Sequence, residues 1–165
     1  MKNVTKNITL LGIDPGLRKT GFGIISGLSS NIKYNASGTI KTDEKECDAL
    51  RLREIFLCIS EIIDEFEPCH AVMEKVFFNK NPKSTLSLGQ ARGVAIVAIA
   101  NKNIPIFEIS STEVKKAIVG NGHAAKSQVQ FMVKALLNLE KVADPDSSDA
   151  LACALAFKQM RFTDD

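Results

Sequence analysis

The stretch NITLLGIDPGLRKTGFGIISG, residues 7–27, decides which fold this sequence can adopt. Its first part, Asn7–Asp14, is apolar enough for a buried strand, and Thr20–Gly27 is typical of a second strand. Gly16 permits a tight turn between them, so the pair predicts an antiparallel hairpin. A weaker third strand is expected over Ile32–Ile40, which would make the first three strands an antiparallel meander.

A helix and a fourth strand are expected next. Asp43 and Glu46 have the spacing of a capping box, and Pro68 should end the helix that follows. One stripe of this helix is apolar and consists of Leu52, Ile55, Ile59, Ile62 and Phe66. The pattern predicts that the acids of the helix face water. The short apolar segment His70–Glu74 predicts the fourth strand.

A pair of glycines marks the next helix, which Ser84 is expected to cap and which should run to about Asn101. The helix is apolar nearly all round, and Gly89 and Gly93 would each cost it about 1 kcal/mol of helix stability. Their spacing therefore predicts that another surface, either the sheet or a second subunit, approaches the helix closely. A fifth strand is expected over Ile104–Ile109.

Three helices are expected to complete the chain. Ser110 and Glu113 form a second capping-box pattern, which predicts a short helix. A longer helix is expected over Lys126–Leu139, and a last one near Pro145 with Asp144 as its N-cap. The order of the elements predicts one α/β domain over all 165 residues, with a mixed five-stranded sheet flanked by helices on both faces.

The composition is that of an ordinary folded protein, with 45% hydrophobic and 24% charged residues. The N-terminal residues 1–5 are unlike a signal peptide and no apolar run is long enough to span a bilayer, so a cytoplasmic protein is expected. The cysteines lack a Cys-x-x-Cys pair, which predicts reduced and mostly buried thiols at Cys47, Cys58, Cys69 and Cys153. Residues 75–142 carry ten Lys and Arg against three acids, which would suit a polyanionic ligand.

Four acids stand where a structural role explains them poorly. Asp14 and Glu74 each end an apolar strand, at the kind of sheet edge where sites of α/β folds gather, and their strands are expected to be neighbours. Asp146 and Asp149 share the first turn of a helix that continues with small apolar residues, so both should lie on one face. Each acid taken singly also has a structural explanation. Asp14 could be a turn residue, Glu74 an exposed acid at a strand end, and Asp146 an acid that helps to cap the helix.

Convergence of these acids would require cations. Two like charges about 4 Å apart repel by roughly 4 kcal/mol at an effective dielectric constant near 20. Mg²⁺ is the natural occupant because it prefers hard oxygen ligands and retains waters, and Mn²⁺ should substitute for it. One or two ions per subunit would activate water and stabilise the leaving oxygen in phosphodiester cleavage.

Six parts of the sequence, in order, carry a resemblance to a known family: Leu11–Gly16 with Thr20–Gly23, Met73–Phe77, Leu88–Ala95, Val119–Gly122, Lys126–Gln130 and Asp146–Ala152. Together they resemble the RuvC family of Holliday-junction resolvases, whose fold is ribonuclease H-like. The tripeptide Asp-Pro-Gly alone would be a weak signal, whereas the ordered set spans nearly the whole chain and is specific.

The resemblance assigns roles to individual residues. Four of them match the metal-binding acids of the family: Asp14, Glu74, Asp146 and Asp149. Phe77 matches an aromatic residue proposed to stack on unpaired bases at the junction, with a core position as its alternative. Lys115 and Lys126 match basic residues near the active site that suit phosphate contact, with a solubilising surface charge as the alternative for each.

The same resemblance implies an endonuclease that resolves four-way DNA junctions in recombination and repair. It implies a homodimer that nicks two strands of like polarity symmetrically, leaves 5′-phosphate and 3′-hydroxyl ends, and works with a branch-migration motor complex. A non-cutting junction binder and a related nuclease for another branched nucleic acid remain as alternatives. An actin-like phosphotransferase is a third alternative, but it would need two such domains.

Overall fold

A mixed five-stranded sheet forms the centre of the molecule in the computed structural model, which describes residues 8–27, 31–76 and 81–162. The strands are β1 (Ile8–Asp14), β2 (Lys19–Gly27), β3 (Lys33–Lys41), β4 (His70–Glu74) and β5 (Ile106–Ile109), in the spatial order β3-β2-β1-β4-β5. The first three pair antiparallel, whereas β4 lies parallel to both β1 and β5. The predicted meander and the predicted contact between β1 and β4 are therefore confirmed.

Helices cover both faces of this sheet, as predicted: α1 (Asp48–Phe66), α2 (Pro82–Ala100), α3 (Ser111–Val119), α4 (Lys126–Leu136) and α5 (Pro145–Arg161). Side chains alternate along a strand, so β1 sends Leu11 and Ile13 into the core under α1 and α2, and Leu10 into the core under α3, α4 and α5. Among the helices of these described ranges, none is long and apolar enough to cross a membrane.

The last helix, α5, lies directly on β1 and β2 because both strands carry glycine where it crosses them. A Cβ added at Gly12 would lie 1.9 Å from the carbonyl oxygen of Ala150, and one added at Gly21 would lie 2.1 Å from that of Asp146. Gly21 also pairs with Asp14 across the hairpin. The glycines thus allow the first turn of α5, with its acid, to lie beside the end of β1.

The capping-box pattern predicts one helix start correctly and another wrongly. At α3 the Ser110 side chain accepts a hydrogen bond from the N–H of Glu113, whose carboxylate accepts one from the N–H of Ser110. At α1 the prediction is wrong: the N–H of Glu46 closes a turn on the carbonyl of Asp43, and the helix begins only at Asp48. Aspartate favours such local turns as well as helix caps, so spacing alone does not separate the two.

The cap of α2 also differs from the prediction. Asn81, not Ser84, accepts hydrogen bonds from N–H groups of the first turn. Pro82 occupies the first helical turn, where its missing N–H is not needed, and this places the start of the helix earlier than predicted. The predicted end is confirmed, since Asn101 is the C-cap.

Two further element ends differ for local reasons. β5 begins two residues later than predicted, at Ile106, because the preceding Pro105 has no N–H to donate to the sheet. α4 ends three residues earlier than predicted, at Leu136, and the chain then turns through Asn138, whose φ is +50°.

The glycines of α2 do not pack on the sheet. Apart from its chain neighbours and the backbone of its own helix, a Cβ added at Gly89 or Gly93 would meet no atom of the described residues within 4 Å. Both glycines face an open groove between α1 and α2, whose apolar walls include Leu52, Phe56 and Val97. The sheet is therefore excluded as the surface that approaches these glycines, and a second subunit stays a prediction.

The cysteines are free thiols, but they are less buried than predicted. Cys153 is buried in α5 and Cys58 is half-buried, whereas Cys47 and Cys69 are exposed. The two exposed residues lie at a helix start and just before a strand, where the chain emerges from the core.

Candidate active site

Three elements bring the four predicted acids to one end of the sheet. Asp14 ends β1 and Glu74 ends the neighbouring parallel strand β4, so both side chains stand at the same sheet edge. Asp146 lies in the first turn of α5 and Asp149, also predicted there, begins the next turn. Because Gly21 has no side chain, this start of the helix can lie on the strands beside Asp14. The strand order, and not the distance in sequence, therefore determines this arrangement.

The pKa of Asp14 reflects both its burial and the negative charge around it. Burial is the largest cause that raises the pKa of Asp14, from 3.8 to about 7, and the charges of Asp149, Glu74 and Asp146 raise it further. Burial also raises the pKa of Glu74 and of Asp149. A site with this excess of negative charge is one that a divalent cation would stabilise.

Two lysines are paired with the acids of α5. Lys126, the first residue of α4, donates a hydrogen bond from Nζ to Oδ2 of Asp149 over 2.5 Å. Burial opposes the charge of Lys126, but this hydrogen bond and the surrounding carboxylates outweigh it and raise its pKa. On the other side of α5, Nζ of Lys19 lies 3.9 Å from Oδ2 of Asp146.

A cleft of about 240 Å³ opens between α3, α4 and α5 beside the acids. Glu74 and Asp149 line it together with both lysines that were predicted to contact DNA, Lys115 and Lys126. Burial keeps the pKa of Glu74 raised, but the hydrogen bond from Ser111 and the charges of both lysines reduce that rise. Positive and negative groups thus face one another across a space open to solvent, which suits a phosphate held over metal-binding acids.

The acids do not enclose an ion in their present rotamers. Across residues 8–27, 31–76 and 81–162, no three His, Cys, Asp or Glu side chains are grouped closely enough to hold a metal. Closure around an ion would therefore require side-chain rotation. The donor set itself fits Mg²⁺, because carboxylate oxygens are its preferred protein ligands.

Sequence reasoning missed three residues that contact these acids. They are Lys19 and Ser111, described above, and Arg92, which donates a hydrogen bond to the carbonyl oxygen of Glu74 over 3.1 Å. Only Arg92 had a signal, since it lies in a segment that resembles the family. Phe77, predicted to stack on bases, lies outside the described residues.

Known proteins resemble the chain over almost its whole length. The profile of the family described as "Crossover junction endodeoxyribonuclease RuvC" matches residues 10–157. The protein of that name from Methylobacillus flagellatus is 54% identical over 151 residues, which cover 88% of this chain and 84% of the relative. The one from Dechloromonas aromatica is 51% identical over 147 residues, which cover 89% and 82% of the two chains.

A solved structure agrees with these relatives. T. thermophilus RuvC in complex with a Holliday junction substrate has a TM-score of 0.87 to this chain at 29% sequence identity, and the match covers 93% of this chain and 96% of that one. The fold with its acid-bearing sheet edge and the sequence matches point to the same conclusion. The chain belongs to the RuvC family of crossover junction endodeoxyribonucleases, and its fold is ribonuclease H-like.

Proposed function

We propose that this endonuclease resolves four-way DNA junctions and that four carboxylates hold its catalytic metal: Asp14, Glu74, Asp146 and Asp149. The observation that carries the proposal is the meeting of β1, β4 and α5 at one sheet edge, where the pKa of Asp14 is raised to about 7. An acid cluster with this much repulsion needs a counterion to be ionised together at neutral pH.

The residues around the acids suit phosphodiester cleavage. When bound, one or two Mg²⁺ ions, or Mn²⁺ in their place, would polarise the phosphate and activate a water molecule. If Asp149 turned to an ion, Lys126 would be released and its ammonium would face the cleft where the strand would lie. Lys115 stands in the same cleft and supplies a second positive charge for the phosphate oxygens. The products would carry 5′-phosphate and 3′-hydroxyl ends.

Phe77 follows the end of β4 by three residues in the sequence. We propose that its ring stacks on an unpaired base near the branch point, an interaction worth about 1–3 kcal/mol per base. The position would place base contact next to the Glu74 carboxylate, so that junction opening and cleavage involve the same segment of chain.

The groove between α1 and α2 supports the proposal of a homodimer. Its walls combine the bare glycines of α2 with Leu52, Phe56 and Val97, and little of its surface is polar. A second copy related by a two-fold axis would cover this groove and would present two identical sites to a two-fold-symmetric junction. The two strands of like polarity would then be nicked symmetrically.

Two wider expectations follow from the substrate. The enzyme would work where the chromosomal DNA lies, in the cytoplasm, and together with a branch-migration motor complex that moves the junction. The supporting fact is the family itself, for whose T. thermophilus member a structure in complex with a Holliday junction substrate has been solved.

The proposal is tested by comparing substrates. A synthetic four-way junction, a flap and a plain duplex are incubated with the protein and Mg²⁺, and the nick positions are mapped. We expect paired nicks at symmetry-related positions of the junction only, and Glu74→Gln should abolish them while binding is retained. Binding without nicks by the wild-type protein would favour the non-cutting binder, and preferred cutting of flaps would favour the related nuclease.

A further inference from the structure

Arg92 contacts the backbone of a proposed metal ligand from the opposite face of the sheet. It extends from α2 to the end of β4, where Nη1 donates a hydrogen bond to the carbonyl oxygen of Glu74 over 3.1 Å. Its Nη2 forms an ion pair with Glu108 of β5. The Arg92 side chain is only 15% exposed, so it stays at this position rather than in solvent.

The carbonyl of Glu74 needs this donor because the sheet does not supply one. The N–H of Lys75 donates to Ile109 of β5 over 2.8 Å, so the Glu74 carbonyl, which precedes it, faces the other side, towards β1. The parallel register of β1 and β4 makes residue 15 the next donor of that ladder. Residue 15 is proline, which has no N–H.

Arg92 acts from the face away from the carboxylates. Met73 packs in the core under α1 and α2, and Val72 packs in the core under α5. By alternation, the Glu74 side chain lies on the α5 face, in the cleft with Lys115. Arg92 therefore contacts the Glu74 backbone and not the cleft.

We propose that Arg92 is a positioning residue, which fixes the end of β4 and so aims the Glu74 carboxylate at the metal. The inference rests on the proposed function of the four acids. A charged donor makes a stronger hydrogen bond to a carbonyl than a neutral one does. Residues that orient metal ligands without touching the metal typically change metal affinity by about 10–100-fold when removed.

The test measures Mn²⁺ affinity by isothermal titration calorimetry on the full-length protein without DNA. Arg92→Met is expected to bind Mn²⁺ about tenfold more weakly than the wild type. Glu108→Gln removes the ion pair but keeps the donor to Glu74, and its affinity should stay within about twofold. Arg161→Met, at an exposed arginine in the last turn of α5, is the matched control and should bind like the wild type.

A second variant keeps the inference testable if Arg92→Met does not fold. Arg92→Lys keeps a positive charge for Glu108, but a single ammonium does not reproduce the two-pronged contact, and Mn²⁺ should bind about threefold more weakly. Wild-type affinity in either Arg92 variant, or an equal loss in Glu108→Gln, would overturn the inference. If the wild-type protein itself bound no Mn²⁺, the proposed metal site would fail, which is a different result.

Discussion

At the scale of single residues, the position of Asp14 lowers the stability of the folded protein when its carboxylate is ionised. Its raised pKa corresponds to about 4 kcal/mol of unfavourable interaction for the ionised form, mostly from burial and then from neighbouring acids. A carboxylate with a purely structural role in the turn would gain nothing from this position. The penalty is understandable if a cation normally compensates for it.

Replacing this acid should stabilise the metal-free protein. Folding raises the pKa of Asp14, so the folded state holds the proton more tightly, and stability is lost as pH rises from 3.8 through about 7. Asp14→Asn removes the charge but still buries a polar amide, so the free energy of unfolding at pH 8 should rise by about 1–2 kcal/mol, while cleavage is abolished. Urea unfolding in EDTA between pH 5 and 8 measures this effect.

The control for this experiment is Glu44→Gln, which changes an acid on the exposed surface. Its free energy of unfolding should follow that of the wild type at every pH. An Asp14→Asn variant that is less stable than the wild type at pH 8 would contradict the account of the charge cluster.

Lys126 should matter more for the reaction than for binding. Its ammonium lies at the cleft, hydrogen-bonded to Asp149, and would face the phosphate on which charge develops during cleavage once Asp149 turns to the metal. Lys126→Met is expected to slow single-turnover cleavage of a four-way junction by about 10²–10³-fold, with junction affinity nearly unchanged. Lys134→Met, on the last turn of the same helix, is the matched control, and equal effects in both variants would assign Lys126 a general role in DNA binding.

At the scale of elements, the contact between α5 and the strands sets the site. Gly21 lies where a Cβ would clash with the backbone of Asp146, which a helix cannot relieve by rotating a side chain. Gly21→Ala should therefore shift α5, destabilise the fold by about 1–3 kcal/mol and weaken Mn²⁺ binding at least tenfold. Calorimetry and chemical unfolding measure the two effects.

Gly89→Ala is the matched control, because a methyl group there meets no described atom within 4 Å. It should leave Mn²⁺ binding unchanged, since α2 and its helical backbone accept alanine readily. If Gly21→Ala bound Mn²⁺ as tightly as Gly89→Ala does, the close approach of α5 would not be what positions Asp146.

The strands and the placement of the four acids at one sheet edge could be predicted from the sequence, and the reason is physical. Buried strands are apolar runs that end at a polar residue, so Asp14 and Glu74 mark strand ends that meet at one edge. Contacts that depend on tertiary packing had no such signal. The pairing of Lys126 with Asp149 and the reach of Arg92 to the Glu74 carbonyl follow from how helices lie on the sheet.

The starts of α1 and α2 were predicted wrongly for a related reason. Asp43 and Asn81 both have side chains that bond to nearby N–H groups, but only Asn81 does so at a helix start. The proline that follows Asn81 distinguishes it, because proline favours the first turn of a helix. A spacing rule without that context selects the wrong residue.

At the scale of the whole molecule, the α1–α2 groove should be the dimer contact. Val97 lines it and is 58% exposed in the single chain. Val97→Glu would bury a charge at a subunit interface, so the protein should elute as a monomer while its fold is retained. Size-exclusion chromatography with light scattering, beside circular dichroism, measures both properties.

Phe131 provides the control for this experiment. It is 65% exposed on α4, away from the groove, and Phe131→Glu should leave the oligomeric state unchanged. A dimer that survives Val97→Glu, or one that is lost with Phe131→Glu, would place the subunit contact elsewhere.

The central claim is that carboxylates from β1, β4 and α5 hold a divalent ion at one end of the sheet. An anomalous difference map from a crystal grown with Mn²⁺ tests it directly. We predict a peak within about 2.0–2.3 Å of oxygen atoms of Asp14 and of at least one acid from α5, with Lys126 turned away from Asp149. Absence of Mn²⁺ from this edge of the sheet, with ions bound elsewhere, would contradict the claim.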